Sequence, residues 1–172
     1  MYKRQGYIGS HTVVELQNSG YEVVIVDNLS NSRADVVDHI EQITGIRPAF
    51  EHVDCLDYEG MDAVFKKYPG IKGVIHFAAS KAVGESVQKP LLYYRNNLVS
   101  LINLLELMPK HNVGGIIFSS SCTVYGQPDV LPVTEAAPIK KAESPYGNTK
   151  QVNEEIVRDT VASGAPINAI LL

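Results

Sequence analysis

Apolar residues along this chain alternate between two spacings, one suited to helices and one to strands, almost from end to end. After the stretch Gly6-Tyr7-Ile8-Gly9-Ser10-His11, residues 12–18 carry apolar positions at helical spacing and stop at Gly20. The run Glu22-Val23-Val24-Ile25-Val26-Asp27 is β-branched, ends in an acid and reads as a buried parallel strand, with a polar loop over 28–33. A helix is expected around 34–44, a short strand over 49–53 ending at Asp54-Cys55, and a helix around 58–68. Pro69-Gly70 leads into Gly73-Val74-Ile75-His76-Phe77, a second buried strand, which closes on the small residues Ala78-Ala79-Ser80 and then Lys81. A long helix over about 90–110 and a strand at 116–118 follow, and that strand runs into Ser119-Ser120-Ser121-Cys122-Thr123-Val124-Tyr125-Gly126. The loop over 127–143, with Pro128, Pro132 and Pro138, is expected to wrap near any site. A helix from Tyr146 to about Ser163 precedes a strand that begins within 166–172. Five or six strands alternating with helices predict an α/β fold built on a doubly wound parallel sheet.

Within this pattern the spacing of about 20 residues from the Gly6 loop to Asp27 is that of a dinucleotide-binding, Rossmann-type domain. The glycines let a backbone approach a phosphate at a helix start, and the acid reaches the adenosine ribose. Such a fold places a hydrophobic strand ahead of the glycine loop, and Met1-Tyr2-Lys3-Arg4-Gln5 does not read as one. The expectation is a single domain over 1–172, incomplete at both ends, in which 1–5 are non-native and a C-terminal substrate domain is missing.

Composition changes this picture little. With 172 residues, 45% hydrophobic and 20% charged, the chain can bury one substantial core. A net charge of -4 and the lack of any basic run give no reason to expect nucleic acid as a partner. No apolar stretch is long enough to cross a membrane, and the start lacks a secretion-signal layout, so the cytoplasm is the expected location. Cys55 and Cys122 lack metal-ligand spacing and read as small, reduced, buried residues, and the five histidines are scattered, so no metal site is expected.

Candidate chemistry centres on Ser144-Pro145-Tyr146-Gly147-Asn148-Thr149-Lys150. Ser144 suits an N-cap and Pro145 the first helical turn, so Tyr146 and Lys150 lie one turn apart on one face. A free phenol titrates near pH 10, so its use as a base near pH 7 needs roughly 4 kcal/mol of phenolate stabilisation, part of which a fixed ammonium supplies. The serine run stands at the carboxyl end of a predicted parallel strand, where open α/β sheets place ligands.

Four motifs together resemble the UDP-glucose 4-epimerases of the extended short-chain dehydrogenase/reductase family. They are the Gly6 to His11 loop, Asp27-Asn28-Leu29-Ser30-Asn31-Ser32, the run from His76-Phe77-Ala78-Ala79 through Lys81-Ala82-Val83-Gly84-Glu85-Ser86-Val87, and the Ser119 to Gly126 run with Tyr146 and Lys150 downstream. The resemblance implies an NAD-dependent isomerase of galactose metabolism that interconverts UDP-glucose and UDP-galactose by transient oxidation at C4. It places Gly6, Tyr7, Ile8 and Gly9 at the pyrophosphate and Asp27 on the adenosine ribose. Asn28, Leu29, Ser30, Asn31 and Ser32 would line the adenosine pocket, and Asp54 and Cys55 would meet the adenine. Phe77, Ala78, Ala79, Ser80, Lys81 and Asn96 would complete the NAD site. Ser121, Tyr146 and Lys150 would be the catalytic trio, also touching cofactor, with Lys81, Ser121 and Tyr146 touching the sugar nucleotide. Asp27 favours NAD over NADP, because a 2'-phosphate would meet its charge. A homodimer built on helices including the long one is the implied assembly. The implied 172-residue chain would turn over little UDP-galactose, lacking the family's C-terminal portion. A 4,6-dehydratase of the same family would carry an acidic pair where this chain has Cys122-Thr123, and a non-catalytic NAD-binding module would have no use for Ser121, Tyr146 and Lys150 together.

Overall fold

Five short strands, all parallel, alternate with six α-helices in the computed structural model, which describes residues 6–172. In chain order the elements are α1 (Tyr7–Asn18), β1 (Val24–Val26), α2 (Val36–Thr44), β2 (Ala49–Glu51), α3 (Tyr58–Lys67), β3 (Gly73–His76), α4 (Val83–Gln88), α5 (Pro90–Lys110), β4 (Gly115–Phe118), α6 (Pro145–Ala162) and β5 (Asn168–Leu171). Hydrogen bonding groups the strands into two sheets, β1-β2 and β3-β4-β5. The chain divides into two units, the first ending at Val64 and the second starting at Phe65.

In the first unit β1 and β2 pair in register from Val24 with Ala49 to Val26 with Glu51. Val13 and Gln17 of α1 are buried, as are Val37 and Ile40 of α2, and Thr44 Oγ1 donates to Gln17 Oε1 at 2.9 Å. Gly45, at φ 74°, ends α2 in the left-handed conformation that a side chain would strain. Helix α1 starts at Tyr7 rather than near Thr12, so the Gly6–Gly9 stretch forms its first turn instead of a preceding loop. The expectation that 1–5 fail to supply a strand ahead of the glycines lies outside the described residues.

The second unit is built around β4, which pairs with β3 from Gly73 with Gly115 to His76 with Phe118, and with β5 from Gly115 with Asn168 to Phe118 with Leu171. Helix α5 spans 21 residues and buries Tyr93, Leu101, Leu104, Leu107 and Met108. Each such side chain contributes roughly 1.5–3 kcal/mol relative to an exposed one. Helix α6 presents Thr149, Lys150, Asn153, Glu154 and Val157 as its buried stripe, at the spacing of one helical face.

Several boundaries differ from expectation. Strands are shorter than their hydrophobic runs, because Val23 and Phe77 carry the apolar pattern past the paired register. Helix α4 arises where the sequence offers only a six-residue amphipathic stretch, and the serine run closes into a 3-10 turn at Cys122–Tyr125 rather than a plain loop. Cys122 is exposed, contrary to the expected burial, because it stands on the outside of that turn, while Cys55 is half-buried. Among the described residues no helix is long and apolar enough to cross a membrane.

Candidate active site

Helix α6 is specified locally. Ser144 Oγ accepts from Gly147 N at 3.1 Å and Pro145 occupies the first turn, so the helix start that carries Tyr146 has its own cap and first turn. Gly147 is buried because the turn is tight. A Cβ there would stand 3.3 Å from Ala142 Cβ and 3.4 Å from Thr123, so glycine lets the start of α6 approach the turn that holds Ser121. Gln151, one residue past Lys150, donates to the carbonyls of Val124 and Lys140, which ties the end of the 127–143 loop back against α6.

Lys150 is buried, with 4% of its surface exposed. Its Nζ donates to the Ser119 carbonyl at 2.7 Å and stands 4.6 Å from the centroid of the Phe118 ring. Burial lowers its pKa to about 8, so the ammonium is still charged at neutral pH. Tyr146 is half-buried, and its hydroxyl has no hydrogen-bond partner among the described residues. Ser121 Oγ accepts from Thr123 N at 3.3 Å and from Thr123 Oγ1 at 2.9 Å, which leaves its own proton for a further acceptor. No hydrogen bond directly joins the Ser121, Tyr146 and Lys150 side chains. They stand at the carboxyl end of β4 and on the adjoining helix with donors uncommitted.

Asn97, next to the expected cofactor residue Asn96, organises this end of the sheet. Its Oδ1 accepts from Ser80 N at 2.8 Å and from Asn96 Nδ2 at 3.0 Å, and its Nδ2 donates to the Ser80 carbonyl and to Thr149 Oγ1, each at 3.0 Å. Its own carbonyl accepts from Asn153 Nδ2. One buried amide thus pins the segment after β3 to α6, one residue from Lys150. The available signal was a polar residue within the apolar stripe of α5 between Tyr93 and Leu101. Replacing Asn97 with Ala strands several of these groups, and a loss of about 3 kcal/mol or more is expected in urea unfolding at neutral pH.

The remaining second-unit residues fall as follows. Phe77 and Ala79 are half-buried, Ala78 and Lys81 are exposed, and Lys81 makes no hydrogen bond or ion pair among the described residues. Ala82 N donates to Tyr93 Oη, which donates to Glu85 Oε2 at 2.9 Å, so the turn that displays Lys81 is held from α5.

In the first unit Asp27 and Asp54 stand at the carboxyl ends of β1 and β2. Asp27 Oδ1 accepts from Leu29 N at 2.7 Å and Ser32 Oγ at 2.5 Å, and Oδ2 has no partner among the described residues. Asn28 Nδ2 donates to Asp54 Oδ2 at 2.8 Å, and Asp54 Oδ1 accepts from Leu56 N. Leu29 takes a left-handed φ of 55° to make this turn. Ser30 and Asn31 are exposed beside it. Burial, with Asp54 and Asp27 adding to it, raises the Cys55 thiol to about 11, so it is inert as a nucleophile. Gly6, Tyr7 and Ile8 are exposed at the start of α1, Gly9 is half-buried, and no side chain caps that helix.

The chain as a whole is similar to known proteins. The family described as NAD dependent epimerase/dehydratase matches residues 4–172. The chain is 51% identical over 171 residues to the UDP-glucose 4-epimerase of Schizosaccharomyces pombe, covering 97% of this chain and 48% of that protein. It is 54% identical over 154 residues to the UDP-glucose 4-epimerase of Bacillus subtilis, covering 90% and 45%. Its structure matches that of UDP-glucose 4-epimerase from Bifidobacterium longum in complex with NAD+ and UDP at a TM-score of 0.92 and 47% identity, over 95% of this chain and 49% of that one. The chain spans about half the length of the curated relatives it matches.

Proposed function

The chain belongs to the NAD dependent epimerase/dehydratase family, and from that membership we propose that it carries the nucleotide-binding and proton-transfer residues of a UDP-glucose 4-epimerase. The substrate is a UDP-hexose, and the reaction interconverts UDP-glucose and UDP-galactose. The observation that carries this reading is Lys150, buried yet charged on the Ser119 carbonyl, one helical turn from a Tyr146 hydroxyl without a protein partner.

The residues present fit NAD. Asp27 keeps one carboxylate oxygen for a ribose hydroxyl, and its charge disfavours a 2'-phosphate. The uncapped start of α1 at Tyr7, Ile8 and Gly9 offers backbone N–H groups to a pyrophosphate. Asp54 and Asn28 would meet the adenosine side, with Leu29, Ser32 and Cys55 lining it. Phe77, Ala79, Ser80, Lys81 and Asn96 would meet the nicotinamide side. Bound NAD would supply the acceptor and donor of hydride at the sugar C4. Tyr146, as phenolate, takes the proton of the 4-hydroxyl and returns it when the opposite face is reduced. Lys150 favours the phenolate by charge and has N–H groups left for a ribose hydroxyl. Ser121 donates to the reacting oxygen and steadies it.

Several further parts of the reading have general support. Cys122 and Thr123, the latter already donating to Ser121, provide no acid for a dehydratase. Two cysteines outside any disulfide suit the cytoplasm. A second copy of the chain, meeting along α5 and its exposed Leu91, Leu92, Val99 and Ile102, is the partner.

Calorimetric titration of the chain with NAD and with NADP tests the cofactor. NAD is expected to bind more tightly, and Asp27→Ala to narrow the difference. Equal affinity for the two in the unaltered chain contradicts the assignment.

A further inference from the structure

A charge taken out of water needs protein groups to replace its hydration, and Lys150 has few. Its ammonium makes one hydrogen bond, to the Ser119 carbonyl. No carboxylate pairs with it among the described residues. Glu154, one turn further along α6, is engaged by Ser120 Oγ at 2.5 Å and Arg158 at 2.6 Å. Tyr146, one turn earlier, makes no side-chain bond to it. From β3 the facing titratable group is His76, which is buried, lacks a partner for Nε2 and stacks on Phe118 with ring centroids 6.1 Å apart. What remains is the face of the Phe118 ring, 4.6 Å from Nζ.

We infer that Phe118 is a positioning residue, its ring face and the next residue's carbonyl forming a two-point cradle that holds the Lys150 ammonium in place. The inference rests on the proposed role of Lys150 toward the phenolate and the cofactor. Phe118 is the last residue of β4, so the strand end delivers the π face and the Ser119 carbonyl to one cation from consecutive positions. Phe118 is itself 1% exposed and stacks with His76, which restricts its ring. An aromatic face attracts a desolvated cation through its quadrupole without using up N–H donors. A carboxylate in that position would compete with the phenolate for the same charge. The neutral imidazole stacked with the ring adds no repulsion, whereas a cationic side chain there would oppose the ammonium.

The test is the titration of Lys150 in the chain itself, followed by NMR of side-chain carbon in labelled lysine and assigned with Lys150→Met. Phe118 is replaced site-specifically by phenylalanines carrying one, two and then five fluorines, which preserve shape while weakening and finally reversing the ring quadrupole. The midpoint is expected to fall stepwise, by about one pH unit across the series. Phe118→Leu is expected to move it in the same direction. In the unsubstituted chain the ε-protons of Lys150 are expected to be shifted upfield by the ring, a readout that needs no variant to fold. A midpoint unchanged across folded fluorinated variants, or ε-protons without that shift, overturns the cradle and leaves Phe118 as core packing. Failure of the functional reading shows separately: NAD affinity unaltered by Lys150→Met would remove the lysine's role toward the cofactor while the titration still judged the cradle.

Discussion

Tyr146→Phe, placed in a protein that joins this chain to the remaining part of the Bacillus subtilis relative, is expected to lower the rate of UDP-galactose conversion by about 100- to 10,000-fold. The loss falls on the rate rather than on the scaffold or cofactor affinity. The Tyr146 hydroxyl has no partner among the described residues, so deleting it strands no buried group. The features that build the helix start, Ser144 as cap, Pro145 in the first turn and Gly147 against Thr123, are untouched. NAD affinity and the thermal midpoint should therefore stay close to those of the parent. Steady-state kinetics beside an NAD titration check this, and a variant that retained the parent rate would show that another group is the base.

Acid should weaken the fold through His76. Complete burial, with the charge of Lys150 adding to it, lowers its pKa from 6.5 to about 3. Between those values the unfolded chain binds a proton that the folded chain refuses, so stability rises with pH across this window. The contribution is fully present above about pH 6.5 and is lost as pH falls toward 3. Between about pH 7 and about pH 4 the loss amounts to roughly 3 kcal/mol. His76→Leu, which has no proton to take up, should flatten this part of the profile in urea unfolding. If both proteins lose the same stability on acidification, His76 is not the group responsible. Lys150 has the same sign higher up the scale. Its pKa falls from 10.5 to about 8, so the folded state is penalised while the lysine is charged and is relieved as pH rises from 8 to 10.5. A buried lysine that costs stability at neutral pH is consistent with retention for chemistry.

Local signals accounted for the elements that position the site. The Ser144-Pro145 start placed α6 within a residue, and the long apolar period gave α5 from Pro90 to Lys110. Asp27 at a strand end was legible from its β-branched run and its distance from Gly6. What escaped the sequence depends on tertiary contacts. Asn97 gains its role only because Ser80 and Thr149, 17 residues before it and 52 after it, converge on one amide. His76 reads as one more residue of a strand until the fold stacks it with Phe118 and leaves Nε2 unpartnered. Cys122 belongs to a serine-rich run whose 3-10 turn, closed by Thr123 N donating to Ser121 Oγ, decides which side chain faces out. The glycine stretch reads as a loop that brings backbone to a phosphate at a helix start, whereas in the fold Gly6 alone takes the left-handed conformation and Gly9 lies within the first turn of α1.

Under the proposed function, hydride leaves C4 of the sugar and returns to the opposite face without meeting water, while Tyr146 handles only the hydroxyl proton. The direct measurement uses UDP-galactose deuterated at C4, converted by the protein that joins this chain to the remaining part of the Bacillus subtilis relative. Retention of the deuterium at C4 of the UDP-glucose formed is the predicted result. Exchange of that deuterium for solvent hydrogen would contradict hydride transfer, because it would mean that C4 is inverted by removal of a proton.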